Sequence, residues 1–504
     1  MSYCHMNPVQ ISATSKGTSF EPYWKKVVCG DRAGLALRAD YRAALATAVK
    51  ECGFQQLRQH GIFHDDMFVW HKRDGDFNFQ YLFSNYDYYL SIGLKPFVEL
   101  SFIPVWMASN DNRIFSVKCA GCPPVSYADW HKMVRATVQA LVDRYGLDEV
   151  RTWNFEVWNE PDIAFWKGTQ AEYFELYRQS ADAVKSVDAS LKIGGPATSN
   201  FVPDAEGVYQ PVWLKTFMEF CVINRLPADF LSTHPYPTNF PFDAASGVFN
   251  RVVRDANATL TDLTRLRGIM DAGPFPQAPI HCNEWGSSPS ARDHCHDHLF
   301  NASFTLFNVL RCIGLVDSLA RWVFSDVSEE APPGEAEFHG GWGLLTVHGI
   351  RKPGFHAYAF LNRVGHTLLH NTDGCAIFRS GHGWQILLYN HRHYVNSEAK
   401  WDTAAESEEM IGAGKPREFM IELDGLPRRV RLTRSLVDKN HGWAKPAWND
   451  MGSPAWPTPS QLESLHLASR PRIETTEVTT DQGILRINST LTAFAIELIE
   501  ISIP

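Results

Sequence analysis

The chain has 504 residues, of which 44% are hydrophobic and 20% are charged. This composition is typical of a globular protein, and the length exceeds that of one ordinary core, so we expect two or three domains. The formal net charge of −9 argues against nucleic acids and acidic membranes as partners, because both attract basic surfaces. A neutral substrate suits such a chain better.

The first twenty residues are polar and contain no apolar run flanked by basic residues. We therefore expect neither a signal peptide nor a transmembrane segment, and we expect a cytoplasmic protein. The chain has ten cysteines, which in that compartment are expected to stay as thiols.

Apolar segments alternate with helical patterns over the first 360 residues. Strands are predicted at residues 27–29, 54–63, 97–102, 151–161, 192–197, 230–236, 279–286 and 321–327. Helices are predicted at residues 41–52, 127–145, 170–184 and 259–272, with caps at Ser126 and Thr169. This alternation predicts an α/β fold, a (β/α)₈ TIM barrel over residues 21–360, with its active site at the C-terminal ends of the strands.

Beyond residue 360 the pattern changes to short apolar segments between turn residues. Strands are expected at residues 386–389, 419–423, 430–432 and 494–499, and no long helix is expected there. Residues 361–504 are therefore predicted to form a C-terminal all-β sandwich domain. The run 331–341, rich in proline and glycine, is interpreted as a loop of the barrel.

The predicted fourth strand ends on Asn159-Glu160-Pro161. Proline gives no N–H to a ladder and keeps the preceding residue extended, so the strand should stop with Glu160 at its rim. Because side chains alternate along a strand, Glu156, Trp158 and Glu160 are expected on one face. Glu156 is the alternative acid, but it lies about 13 Å deeper, at roughly 3.3 Å per residue, inside a packed barrel. We therefore favour Glu160.

The predicted seventh strand also ends on a carboxylate, Glu284. Strands four and seven of one barrel end at the same rim, so the two acids are expected to meet. Cleavage of a glycosidic bond needs a proton donor and a second carboxylate that attacks the sugar or activates water. A single strand-end acid is more often a structural carboxylate paired with arginine, but two acids on these strands favour catalysis.

Other side chains at this rim are suited to a ligand rich in hydroxyl groups. His234 and Tyr236 share a face of the sixth strand, although a buried histidine bonded to backbone is an equal alternative. Asn159 would either cap its strand or bond the 2-hydroxyl of a sugar. Three tryptophans within the predicted strands would be either sugar platforms or core: Trp158, Trp285 and Trp322.

Two clusters contain residue types that bind metals. They are Cys119 with Cys122, and the group of His281, Cys282, His294, Cys295, His296 and His298. A structural zinc site usually needs two ligand pairs, of which the first cluster offers one, and the second cluster mixes a barrel strand with the start of a helix. We therefore expect no metal and no cofactor. Free thiols and surface histidines are the preferred interpretation.

Six motifs occur in a fixed order along the chain. They are residues 60–66 (HGIFHDD), 156–162 (EVWNEPD), 233–237 (THPYP), 283–285 (NEW), 322–330 (WVFSDVSEE) and 338–344 (FHGGWGL). Together they resemble glycoside hydrolase family 39, the β-xylosidases and α-L-iduronidases of the barrel clan with Asn-Glu-Pro at strand four. The Gly286-Ser287-Ser288 turn departs from the family pattern.

The resemblance implies roles for individual residues. It implies that Glu160 is the acid/base and Glu284 the nucleophile of a retaining enzyme. It also implies that residues 1–20 add a strand to the sandwich. Residues expected to bind the sugar are His60, Asn159, His234, Tyr236, Trp322 and Glu329.

The expected function is an exo-acting β-xylosidase that releases xylose from the non-reducing ends of short xylo-oligosaccharides. Other exo-glycosidase specificities remain open: α-L-arabinosidase, β-glucosidase and α-L-iduronidase. A catalytically silent sugar-binding barrel would be expected to lack an acid or Asn159, and this chain has all of them. A monomer is favoured slightly over an oligomer.

Overall fold

The computed structural model describes residues 8–199, 212–239, 242–243, 248–249, 252–394 and 404–503. Eight parallel strands close a barrel in sequence order, which confirms the predicted fold. They are β1 (Val27–Arg32), β2 (Gln56–His60), β3 (Lys95–Leu100), β4 (Asn154–Val157), β5 (Lys192–Thr198), β6 (Phe230–Thr233), β7 (Ile280–Trp285) and β8 (Ser318–Arg321).

One long helix follows each barrel strand. The eight are α1 (Ala39–Cys52), α2 (Gln80–Ser91), α3 (Tyr127–Tyr145), α4 (Gln170–Val187), α5 (Val212–Asn224), α6 (Ala258–Ala272), α7 (Phe300–Arg311) and α8 (Pro353–Arg363), with a short extra helix at Leu147–Val150. The predicted caps are present, because Ser126 accepts from the Asp129 N–H and Thr169 forms a reciprocal capping box with Glu172. Helices α2, α5, α7 and α8 were not predicted.

The barrel strands differ from the predicted ones mainly at their C-terminal ends. Strand β8 ends at Arg321, where the predicted strand began, and Ser325 forms only an isolated bridge with Leu345. The apolar run of residues 322–327 is buried in the loop at the rim and is not part of the strand ladder. The sequence could not show this, because a buried loop and a buried strand have the same apolar composition. The residues just after the strands are those that build the site.

The C-terminal part is a sandwich of two sheets, as predicted. One sheet contains Thr18–Ser19, Thr367–Thr372, Cys375–Ser380, Gly383–Tyr389, Ile496–Ser502, Arg429–Val437 and Arg472–Thr479, and the other contains Val9–Ser12, Arg417–Asp424 and Leu485–Leu491. Ile377, Ile386 and Ile499 of the first sheet share a core with Ile421 and Ile487 of the second. Alternate residues of Arg417–Asp424 and Leu485–Leu491 are buried and face the first sheet.

Two short strands near the N-terminus join the sandwich. Val9–Ser12 runs parallel to Arg417–Asp424, and Thr18–Ser19 runs antiparallel to Thr367–Thr372. Residues 1–7 lie outside the described part, and the domain limits at residues 20 and 360 stay predictions. Short strand pairs also occur in barrel loops: Arg113–Ile114 with Cys119–Ala120, Thr238–Asn239 with Val252–Val253, and Phe242–Asp243 with Val248–Phe249.

The expectation that the region after residue 360 has no long helix is wrong. Helices occupy Ala404–Ala413, Lys445–Asp450 and Pro459–Ala468. The last begins with a Thr458 and Gln461 capping box and with proline in its first turn, which are signals that the sequence displays. The last two helices lie between the strands Arg429–Val437 and Arg472–Thr479, and we call residues 438–471 the sandwich insertion. Ala444 and Leu465 of this insertion pack against Phe338 and Ile350 of the barrel.

The interpretation of the histidines after strand seven as surface residues is wrong. His281, His296 and His298 are buried. His296 places its ring nitrogens 2.9 Å from the Gly340 carbonyl oxygen and 3.1 Å from that of Ser288. Burial lowers the pKa of His281 and of His296 to about 4.

The cysteines of the described residues, nine in number, are all buried and outside any disulfide. Cys119 and Cys122, which are expected from the sequence to be free thiols and not metal ligands, are fully buried in the loop after β3. In the part of the chain that the structure describes, no helix combines the length and the apolar composition needed to cross a membrane.

The interior of the barrel contains an arginine and two glutamates with no exposed side-chain surface. Arg58 of β2 lies 2.8 Å from the Glu99 carboxylate of β3 and 2.6 Å from the Glu156 carboxylate of β4. Burying a charge is costly unless it is paired and hydrogen-bonded. The three side chains therefore depend on one another.

Replacing Arg58 by methionine is expected to lower the free energy of unfolding by about 3–5 kcal/mol, because two buried carboxylates lose their cation. Denaturant unfolding measures the change. Arg178→Met is the matched control, since Arg178 pairs with Glu175 on the exposed surface of α4 and should matter far less. Equal losses in the two variants would contradict the interior role of Arg58.

Candidate active site

Glu160 and Glu284 both lie at the C-terminal rim of the barrel and are nearly buried. Glu284 is the penultimate residue of β7, whereas Glu160 follows the end of β4 by three residues. The backbone has positive φ at Trp158 (72°) and at Glu160 (45°). The predicted alternation of Glu156, Trp158 and Glu160 on one face is therefore wrong, because the pleat ends at Val157.

The two acids meet across a histidine. Nδ1 of His234 is 2.8 Å from Oε1 of Glu160 and 3.5 Å from Oε2 of Glu284. A carboxylate oxygen of each acid and a His234 nitrogen all lie within 4.8 Å of one another. The Tyr236 hydroxyl donates to Oε1 of Glu284 at 2.9 Å. Four residues predicted for the site are thus brought together.

The protein environment gives the two acids different protonation behaviour. Burial, and after it the charge of Asp162, raises the pKa of Glu160 to about 8, so this carboxyl group carries a proton at neutral pH. Burial also raises the pKa of Glu284, but the Arg58 guanidinium, 3.6 Å away, opposes the rise. The arrangement supplies one proton donor and one carboxylate that a cation helps to keep ionised.

His234 is neutral, because burial lowers its pKa to about 4. Its close contact with Glu160 is therefore a hydrogen bond between neutral groups and not an ion pair. This contact orients the proton-bearing carboxyl group at the rim.

Glu156, the alternative acid, is occupied by structural partners. Its carboxylate accepts from Arg58 at 2.6 Å and from the Asn283 amide. Arg58 also donates to Oδ1 of Asn159 at 2.9 Å. This bond orients the Asn159 amide with its oxygen towards Arg58 and its nitrogen away from it. Sequence reasoning missed Arg58, Glu99 and Asn283, although a charge within a buried strand is itself a signal.

Aromatic rings form a wall beside the acids. His60, whose Nδ1 is 2.8 Å from the Glu99 carboxylate, packs its ring 5.0 Å from that of Trp322. The Trp322 ring lies 6.2 Å from Trp342 in an edge-on arrangement. Burial alone would lower the pKa of His60, but the nearby Glu99 carboxylate raises it above the ordinary value.

The other two tryptophans left open by the sequence belong to the core. Trp158 packs edge-on against Phe102 and Trp166, with ring centroids 5.0 Å apart in each case. Trp285 stacks on Phe304 at 5.2 Å. Both are fully buried, so of the three only Trp322 lines the wall described above.

The neighbouring acids Glu329 and Glu330 have different surroundings. Glu329 forms an ion pair with Arg32. Glu330 was not predicted, yet burial and then the charges of Glu284 and other nearby acids raise its pKa well above the ordinary value. Asp31 fixes this loop, because its Oδ2 accepts from the N–H of Glu329 at 2.7 Å and of Glu330 at 3.2 Å.

Glu160, His234 and Glu284 are the group of potential metal ligands found among the described residues. The site fits a cation poorly, because the guanidinium of Arg58 adjoins Glu284 and because Glu160 holds a proton at neutral pH. The group is better suited to acid–base chemistry than to metal binding.

Comparison with known proteins agrees with this geometry. The model of the family described as "Glycosyl hydrolases family 39" matches residues 7–486. A β-xylosidase of Geobacillus stearothermophilus is 32% identical over 492 residues, covering 96% of this chain and 93% of the relative. A β-xylosidase of Caldicellulosiruptor saccharolyticus is 33% identical over 484 residues, covering 92% and 93%.

A solved structure is similar over the full length. The crystal structure of a monomeric β-xylosidase from Caulobacter crescentus CB15 has a TM-score of 0.87 and 31% identity, and the match covers 99% of each chain. The chain therefore belongs to glycosyl hydrolase family 39, and it is a glycosidase that acts on a carbohydrate substrate.

Proposed function

We propose that this protein is a retaining exo-β-xylosidase that releases xylose from the non-reducing ends of short xylo-oligosaccharides. The observation that carries the proposal is the pair of buried carboxyl groups, Glu160 and Glu284, with oxygens within 4.8 Å of each other and with different environments. The substrate follows from the two relatives named as β-xylosidases, which match nearly the whole chain.

Glu284 attacks the anomeric carbon while Glu160 gives its proton to the leaving oxygen. The resulting glycosyl-enzyme is hydrolysed by a water molecule that Glu160, now ionised, deprotonates. Retaining glycosidases hold their carboxyl groups about 5–5.5 Å apart, whereas inverting enzymes leave about 6.5–9.5 Å for a water molecule. The short separation here supports double displacement.

Arg58 and Tyr236 support the nucleophile in this scheme. Both contact the Glu284 carboxylate, Arg58 at 3.6 Å and Tyr236 at 2.9 Å, and so stabilise its charge and fix its orientation. His234 holds the carboxyl group of Glu160 through Nδ1. Each acid thus has its own orienting partner.

Sugar binding is assigned to the polar and aromatic groups around the pair. Trp322 provides the apolar face, and Asn159 bonds the 2-hydroxyl next to the reacting carbon. We add Glu330 to the residues predicted from the sequence, because Asp31 holds its backbone N–H next to Glu329 and because burial and the charges of the catalytic acids raise its pKa. Glu329 acts through its pair with Arg32, and its direct contact with sugar stays a prediction. His60, His234 and Tyr236 complete the set.

The acidic surroundings favour a neutral pentose over a uronic acid. Glu284 is ionised in this scheme, and the nearby cation Arg58 is already shared among Glu99, Glu156 and Glu284. A substrate carboxylate would be repelled by the ionised Glu284 and would compete with three carboxylates for Arg58. This argument ranks the xylosidase above the iduronidase alternative. A monomer is also proposed, in line with the monomeric relative from Caulobacter crescentus.

A panel of aryl glycosides tests the substrate. Aryl β-D-xyloside is expected to give the highest kcat/KM, ahead of aryl α-L-arabinoside, β-D-glucoside and α-L-iduronide. Glu284→Gln, which keeps the shape of the side chain, should abolish turnover and serves as the control for contaminating enzymes. Faster hydrolysis of the iduronide or of polymeric xylan would refute the substrate assignment, and no turnover at all would favour a silent sugar-binding barrel.

The dependence of kcat/KM on pH should be bell-shaped. Activity should fall above about pH 8, because Glu160 then loses the proton that it must donate, and should fall at low pH as Glu284 becomes protonated. The apparent pKa values of the two limbs belong to the interacting pair of acids. The apparent pKa of the acidic limb should exceed the ordinary glutamate pKa of about 4.3.

The check on this assignment is Glu160→Gln, measured with a substrate whose leaving group needs no proton. The basic limb should disappear and the acidic limb should remain. Persistence of the basic limb in the variant would show that another group controls it.

Azide separates the roles of the two acids. In Glu160→Ala, substrates with good leaving groups should still form the glycosyl-enzyme, and azide should then react from the side of water to give a product of retained configuration. In Glu284→Ala, azide should fill the space left by the nucleophile and give an inverted product. Product configuration is read by NMR, and products swapped between the variants would overturn the assignment.

A further inference from the structure

A second group of buried charges lies behind the aromatic wall. Nζ of Lys352, at the start of α8, is 2.6 Å from Oδ1 of Asp297 and 2.6 Å from Oδ2 of Asp326. All three side chains have no exposed surface. We call these residues the lysine triad. None of them contacts the catalytic acids in the described structure, and the proposed mechanism does not use them.

The lysine triad holds the backbone of one turn, residues 340–343. Oδ2 of Asp297 accepts from the Gly340 N–H at 2.7 Å, and Oδ1 of Asp326 accepts from the Gly343 N–H at 2.7 Å. Lys352 donates to the Gly341 carbonyl oxygen at 3.0 Å. Each member of the triad therefore bonds the turn directly.

The turn has no room to move towards the triad. A Cβ atom on Gly341 would lie 2.4 Å from Oδ1 of Asp326, and one on Gly343 would lie 2.3 Å from the Asp326 backbone nitrogen. Glycine is needed at these two positions because the backbone approaches so closely. The turn is thus held on both sides of the residue between these glycines, Trp342.

Trp342 is part of the aromatic wall. Its ring lies 6.2 Å from that of Trp322, which in turn contacts His60. Trp342 and Trp322 also share one apolar cluster with Tyr236, the residue that bonds the nucleophile. A shift of the turn would therefore move Trp342 and change the surface against which Trp322 is packed.

We propose that Lys352, Asp297 and Asp326 are positioning residues that fix Trp342 against Trp322 and thereby set the shape of the sugar-binding wall. The inference rests on the proposed function, in which this rim binds the sugar. A wall contacts bound substrate and transition state alike, so loosening it raises KM and changes kcat little.

The test compares Lys352→Met with Trp342→Leu, using an aryl β-xyloside below the thermal midpoint of each variant. Each single change is expected to raise KM about fivefold or more, with kcat within about threefold of the wild type. The double variant should show a KM no higher than that of Trp342→Leu alone, because the lysine triad acts through Trp342. Multiplied effects in the double variant would overturn the proposal.

Arg434→Met is the matched control for lost stability. Arg434 pairs with Glu497 in the sandwich at 2.7 Å, and the Glu497 side chain is only 3% exposed. This variant should lower the thermal midpoint as Lys352→Met does, but should leave KM unchanged. If Lys352→Met also leaves KM unchanged, the lysine triad is only a stabilising group and the proposal is wrong.

Asp326→Asn provides a second route if Lys352→Met does not fold. Asparagine keeps an oxygen for the Gly343 N–H but removes one charge from the lysine triad, so KM should rise here as well, and an unchanged KM would refute the proposal. The proposed function is tested separately by the wild type. If the wild type prefers another glycoside, the xylosidase assignment fails and KM of the variants is measured with that substrate.

Discussion

The rest of the site depends on the contacts of one group, the Arg58 guanidinium. Inside the barrel it compensates Glu99 and Glu156, which have no contact with solvent, and at the rim it reaches Asn159 and Glu284. Guanidinium is suited to this position, because it stays charged when buried and offers donors in several directions. The same side chain thus stabilises the strands and keeps a cation beside the nucleophile, so the fold and the chemistry cannot be changed independently here.

The two catalytic acids are buried residues of the same type, yet they have different roles. Both carboxyl groups lose solvation, which alone would protonate both. Glu284 has Arg58 and the Tyr236 hydroxyl beside it, whereas Glu160 has a neutral histidine and a neighbouring acid, Asp162. The difference in partners, and not in residue type, makes one acid a donor and the other a nucleophile. The same reasoning applies to Glu156, whose carboxylate is bonded by Arg58 and Asn283 and therefore takes no part in catalysis.

The sequence predicts the barrel well because its strands are apolar runs bounded by glycine or proline, and it predicts the site residues because they follow those runs. It fails where a single residue departs from the regular backbone. No feature of the sequence predicts the positive φ at Trp158, so the predicted side-chain alternation continues past the true end of the strand. The lysine triad could not be assembled in advance, because its members come from distant segments without periodicity. Arg58 and Glu330 could not be paired, because their partners lie on other barrel strands whose register the sequence does not give. The Pro459–Ala468 helix of the sandwich insertion has a readable cap at Thr458, but the strand pattern around it dominates the prediction from sequence.

The sandwich insertion contacts the barrel next to the turn at residues 340–343. Trp443, which precedes the Lys445–Asp450 helix, donates to the Asp297 carbonyl oxygen at 2.8 Å, and Leu465 of the next helix packs on Phe338, just before the turn at residues 340–343. The turn is therefore enclosed by the lysine triad on its inner side and by the insertion beyond it. A buried lysine with two aspartates holds its geometry only while water is excluded, because solvent would weaken each of its interactions. Trp443 of the second domain lies against Asp297 and contributes to that exclusion, and in this way a β-sandwich that contributes no residue to the catalytic pair helps to order the wall beside it.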